Sequence, residues 1–125
     1  MKHLSLTILA LLLALTAAAA GPQIKFTTQQ QDFGTVRQTD PQVTLTYEFT
    51  NTGDEPLVII SAKASCGCTK PHYPDAPIPP GQKGTITLKF NPRAQFGEIH
   101  KSVTVRTNDK KHKKLTLRLT GVVIE

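Results

Sequence analysis

Val43-Thr44-Leu45-Thr46-Tyr47-Glu48-Phe49-Thr50 is the stretch that decides the fold. Its apolar residues occupy every second position, at Val43, Leu45, Tyr47 and Phe49, with Thr44, Thr46, Glu48 and Thr50 between them. Successive side chains of a strand point to opposite faces, so this alternation describes a strand buried on one side and wet on the other. Asn51-Thr52-Gly53-Asp54-Glu55-Pro56 follows as a turn, punctuated by Gly and Pro.

The same period recurs on both sides of this strand. Upstream, Ile24 and Phe26 begin an alternating stretch, and Phe33-Gly34 follows a run of Gln. Downstream, Leu57 to Ala64 reads as a more apolar strand, and a Pro-rich connection runs from Pro71 to Gly84. Thr85 to Phe90 places Ile86, Leu88 and Phe90 on one face and stops at Asn91-Pro92. Ile99 to Val105 alternates through Val103, Asn108-Asp109 opens a turn, and Leu115, Leu117 and Leu119 alternate in a last strand reaching Val123. No segment after residue 20 carries apolar residues at helical spacing. The pattern predicts an all-β protein, an immunoglobulin-like antiparallel β-sandwich of about seven strands. A small closed barrel is the alternative. The antibody hallmarks are missing, because there is no Trp and the two Cys lie too close together to bridge two sheets.

Residues 1–20 read differently. Met1-Lys2-His3 is a short basic start, Leu4 to Leu15 is apolar except for Ser5 and Thr7, and Ala17 to Ala20 supply small residues. These are the three parts of a secretory signal, with cleavage expected before Gly21 or one residue earlier. The apolar run falls short of the ~18 to 20 residues of a membrane span, and no Cys follows the alanines to accept a lipid. The expectation is an exported protein in the periplasm or at the cell surface, with no stable membrane anchor after cleavage. Residues 21–125 then form a single domain. The net charge of +6 is one less without Lys2. It speaks for loose association with anionic surfaces rather than for a defined ligand.

The strand and turn residues also resemble a family. Asp32-Phe33-Gly34-Thr35-Val36, Phe49-Thr50-Asn51-Thr52-Gly53 with Pro56-Leu57, and Ser65-Cys66-Gly67-Cys68-Thr69 are similar to the bacterial domain of unknown function 1573 family. So are Pro79-Pro80-Gly81, Phe90-Asn91-Pro92 and Thr107-Asn108-Asp109, in the same order, from about Phe26 to Val123. The resemblance implies an exported Ig-like domain, related to the Ig-like modules of ciliary scaffold proteins. It implies no activity and no functional residues.

Chemistry, if present, is expected at Cys66-Gly67-Cys68. An even Cys count in an exported chain suggests a disulfide between Cys66 and Cys68. In an extended strand their Cα atoms are about 6.7 Å apart, at the far edge of the disulfide range, unless Gly67 tightens the chain. A three-residue loop gains only ~1.6 kcal/mol of chain entropy from closure, which makes a poor structural staple and suits a redox pair. Two thiolates at i and i+2 also suit a soft ion, Cu or Zn, with His72 as a candidate third ligand. Four-ligand zinc sites usually need two such pairs, and this chain has one. Lys110-Lys111-His112-Lys113-Lys114 reads as a basic, solvated turn beside a sheet edge. No aromatic residue interleaves with it, so nucleic acid is not an expected partner. Catalytic motifs of the hydrolase, phosphate-loop and zinc-protease kinds are missing. The sequence therefore predicts a non-enzymatic binding or scaffolding module without a cofactor, whose partner is a protein or a cell-envelope component. The competing expectation is a small periplasmic redox or Cu/Zn protein built on Cys66 and Cys68, with His72.

Overall fold

The structure is a computed structural model that describes residues 21–125. The signal-peptide reading of residues 1–20 lies outside the described residues. Eight strands follow one another: β1 (Ile24–Phe26), β2 (Gln30–Arg37), β3 (Val43–Asn51), β4 (Ile59–Ala64), β5 (Thr69–His72), β6 (Lys83–Phe90), β7 (Gly97–Thr107) and β8 (Lys114–Ile124). They form two four-stranded sheets, ordered β1-β3-β6-β5 and β2-β8-β7-β4. The architecture is the expected all-β sandwich.

The alternation read from Val43 to Thr50 is the register of β3 on β6. Leu45 lies opposite Leu88, Tyr47 opposite Ile86 and Phe49 opposite Gly84. Tyr47, Phe49, Ile86, Leu88 and Phe90 are fully buried from this sheet, and Val103, Val105, Leu117, Leu119 and Val123 from the other. Burying aliphatic and aromatic side chains stabilises by roughly 1.5–3 kcal/mol each, so these two facing rows hold the sheets together. Two glycines let aromatic rings lie flat on the core. A Cβ at Gly84 would strike the Phe49 ring, and one at Gly121 would strike Phe33. Phe33 in turn stacks on Phe90 across the sandwich with centroids 5.1 Å apart.

Three features differ from the sequence reading. The sandwich is not wholly antiparallel, because β2 runs parallel to β8, with a register shift between Asp32 and Thr35. The chain crosses between sheets after β1, so β2 meets β8 from the other direction. Gly34, at φ 78°, sits inside that shift. Its amide donates to Asp32 Oδ1 at 2.6 Å. Second, a strand the sequence reading lacked, β5, runs into the start of the Pro-rich connection and pairs with β6 from Thr69↔Phe90 to His72↔Thr87. Pro71 is tolerated there because β5 is an edge strand. Third, Leu57 is not part of β4 but bridges to Ile78. Of these, β5 raises the count from about seven strands to eight.

Candidate functional site

The two ends of the sandwich are closed by different chemistry. At one end Cys66 and Cys68 are joined as a disulfide, with Cα atoms 5.2 Å apart. The segment is not extended, since the Thr69 amide donates to the Cys66 carbonyl at 3.2 Å and closes a tight turn. That turn brings the Cα atoms inside the disulfide range. It is also the crossover from β4 in one sheet to β5 in the other. Both sheets hold it. The Ser65 amide donates to the Ser102 carbonyl at 2.9 Å, and the Asn91 amide donates to the Cys68 carbonyl at 2.8 Å. Cys68 packs against the core, and its amide donates to Cys66 Sγ at 3.1 Å. His72 lies elsewhere, exposed on the outward side of β5 opposite Thr87. Among the described residues no three His, Cys, Asp or Glu side chains group as a metal-binding set. Cys66, Cys68 and His72 are therefore not assembled as a ligand trio.

The opposite end is closed by buried polar side chains that the sequence shows only as turn residues. Asn51 is fully buried. Its Nδ2 donates to the carbonyls of Glu55 at 2.8 Å and Ile78 at 2.9 Å. Its Oδ1 accepts the amides of Gln23 at 3.3 Å and Gly53 at 3.0 Å. Asp109 is 2 % exposed. Its Oδ2 accepts the Ile24 amide at 3.0 Å, tying the β7–β8 turn to β1 of the other sheet, and its Oδ1 accepts the Lys111 amide at 2.9 Å. His112 Nδ1 stands 3.0 Å from Oδ2. Burial pushes the Asp109 carboxyl up, but the Ile24 and Lys111 amides and His112 outweigh it and hold the group below its ordinary value. Between the two ends, the Tyr47 hydroxyl donates to the Arg118 carbonyl at 2.6 Å, joining the sheets. Desolvation raises this phenol to about 12, against a smaller lowering by a hydrogen bond with the Gln31 backbone.

The sheets leave four edges, and three are poorly shaped for another strand. β1 has three residues, β2 is interrupted at Gly34, and β5 contains Pro71, which offers no N–H. β4 is regular from Ser61 to Ala64, opposite Arg106 to Val103. The Ser65 amide bonds to Ser102. By the alternation of an antiparallel ladder, the N–H and C=O groups of Ala62 and Ala64 therefore point away from β7, to the free side. A bulge precedes this run, with Ile59 opposite Thr107 and Ser61 opposite Arg106, and Ile60 as the extra residue. Ile60 is 58 % exposed. It lines an open cleft of about 350 Å³ with Arg106, Thr107, Asn108 and Lys113. The basic turn expected at residues 110–114 thus adjoins this edge.

Comparison with known proteins agrees with the sandwich. No curated protein matches the chain. A protein of unknown function from Porphyromonas gingivalis superposes with a TM-score of 0.74 at 15% identity, over 85% of this chain and 49% of that one. The chain thus spans about half of that protein's length. The PapD-like (ASH) domain of human CEP192 superposes with a TM-score of 0.59 at 17% identity, over 82% of this chain and 85% of that one. The periplasmic chaperone SfaE gives 0.54 at 12% identity, over 81% of this chain and 57% of that one. At these identities the likeness is one of fold. The family model described as protein of unknown function (DUF1573) matches residues 24–123. That span runs from the first residue of β1 to the penultimate residue of β8 and includes both closed ends, and the chain belongs to the DUF1573 family.

Proposed function

We propose that this chain is a non-enzymatic binding or scaffolding module, exported to the periplasm or cell surface, that holds an extended segment of a partner protein as an added strand on β4. The observation that carries this reading is the free run Ser61–Ala64. Among the described strands it is the edge that combines consecutive regular pairing with outward backbone groups on two residues. The buried polar groups support it. Asn51, Asp109 and Tyr47 are each engaged in holding strands together. The family motifs have the same character: Asp32 holds the Gly34 turn, and the Gly81 amide donates to the Asn51 carbonyl at 2.8 Å. A fold shared with a periplasmic chaperone accords with the same role.

Hydrogen exchange tests the reading. A panel of extended peptides of about eight residues is titrated against the protein, and the binders are mapped. Protection of the Ala62 and Ala64 amides on binding is expected. Binders that protect only β1, β2 or β5, or a panel without binders, overturn the proposal.

The Cys66–Cys68 bridge supports a second reading, a redox pair, whose reduced thiols would be the donors for Cu or Zn. A dithiol donor would supply two electrons and two protons, leaving two thiols here and a disulfide on the donor. Reduction at a potential above about −300 mV, or uptake of one metal ion by the reduced chain, supports that role. A bridge that resists reduction and a reduced chain that takes up no metal remove it.

A further inference from the structure

The β4 edge also carries information about the chemistry of its partner, provided that strand addition is the function of the edge. The outer face of the sheet beside β4 is basic and unneutralised. Lys63 projects from β4 itself and is exposed. Arg106 lies opposite Ser61 on β7, and Lys114 lies directly opposite Arg106 on β8. Like charges directly opposite one another on neighbouring strands are destabilising. Among the described residues the ion pairs are Lys83–Glu48, His100–Glu98 and His112–Asp109. None of them neutralises Lys63, Arg106, Lys113 or Lys114. The inner side of the same edge is apolar, since Ala62 and Ala64 pack against the core. At its end, Ile60 is re-aimed into solvent by the bulge and sits in the cleft bounded by Arg106 and Lys113.

From these three features we infer that β4 takes an acidic, extended peptide segment in which carboxylates alternate with apolar residues. Period two would set its carboxylates on the outer face, facing Lys63, with the long Arg106 side chain one strand further in, beyond Ser61. Its apolar residues would face inward over Ala62 and Ala64, and one at its end would cover Ile60. A second copy of this chain does not fit the edge. Pairing β4 with β4 would set Lys63 of one copy beside Lys63 of the other, on one continuous face with Arg106 of both copies.

The experiment uses the folded protein and two blocked peptides of about eight residues, one alternating Val with Glu and one alternating Val with Thr. The acidic peptide should bind about tenfold tighter at low salt, the sum of a few exposed charge pairs, and this advantage should fade with added salt. Lys63→Gln with Arg106→Gln should remove the advantage and leave the Val/Thr peptide unaffected. Ala62→Pro, whose lost N–H points away from β7, should abolish both while the fold is kept. N-methylation of alternate peptide amides gives the same loss without altering the protein. Equal binding of the two peptides, or an advantage that survives the double substitution, overturns the acidic inference while strand addition stands. Absence of binding by either peptide overturns both. A concentration-dependent dimer that Ala62→Pro disperses shows that a second copy occupies the edge and also overturns the inference.

Discussion

The Cys66–Cys68 end and the Asn51–Asp109 end perform the same task by opposite means. Each closes one end of the sandwich and ties its two sheets. The first does so with a covalent bond between residues two apart in sequence. The second uses non-covalent bonds that span long loops. The Asp109 carboxylate reaches the Ile24 amide across 85 residues of sequence, and Asn51 reaches the Ile78 carbonyl across 27. A cross-link stabilises by restricting the unfolded chain, and a three-residue ring restricts it little, by ~1.6 kcal/mol. Buried hydrogen bonds between distant segments stabilise the folded state directly, because deleting one partner strands the other without water. The covalent end should therefore be the weaker of the two.

The largest expected loss lies between the ends and sets the scale. Phe49→Ala removes a fully buried ring that packs on Gly84 and meets Phe26 at 5.6 Å. It should cost about 3 to 5 kcal/mol in a urea melt. Thr46→Ala, on the exposed side of the same strand, should cost less than about 0.5 kcal/mol. Equal losses at the two positions would mean that the register of β3 is inverted.

Next come the polar clasps. Asn51→Ala and Asp109→Ala should each cost about 2 to 3 kcal/mol, since each strands buried backbone partners. Asp109 adds a pH signature. Its carboxyl is held below the ordinary value, so its contribution is present above the unfolded pKa of about 3.9. It is lost as pH falls through the folded value. Wild-type stability should fall in that acid window, and Asp109→Asn should flatten the fall. An unchanged acid profile would remove the carboxylate from the account.

The double change Cys66→Ala with Cys68→Ala should cost no more than about 2 kcal/mol, close to the ~1.6 kcal/mol of a three-residue loop. A larger loss than that from Asp109→Ala would reverse the comparison between the ends.

Among the changes to groups that tie the sheets, the smallest effect is Tyr47→Phe, about 1 kcal/mol for the hydrogen bond to Arg118. Here the sign runs the other way. The folded phenol is raised to about 12, so the stability it confers is complete below about pH 10 and lost as pH rises from there through the folded value. Tyr47→Phe should abolish that alkaline loss. Ultraviolet titration provides a direct check, because Tyr73 is the other tyrosine and is exposed.

The alternating strands are legible in the amino-acid order alone, because period two is a local property. Val43 to Thr50 announces which side chains enter the core, and Tyr47 and Phe49 are buried as that pattern requires. The turn signals at Asn51 and Asn108-Asp109 also stand at the ends of strands. Their burial was not legible. The same Asn or Asp ends a strand in water or clasps a neighbour in the core, and only the approach of Ile78 or Ile24 decides which. The parallel meeting of β2 with β8 is likewise a long-range pairing with no local signature. β5 escaped for a different reason: a Pro-rich stretch reads as a connection until its place at a sheet edge excuses Pro71. At the candidate site the sequence showed Cys66-Gly67-Cys68 and the lysine run from Lys110 to Lys114, since both are contiguous. The β4 edge itself, with Ile60 thrown outward by a bulge beside Arg106 and Lys113, emerges only once the sheets are assembled. Which strand lies outermost, and which charges gather beside it, depends on how two sheets are ordered in space.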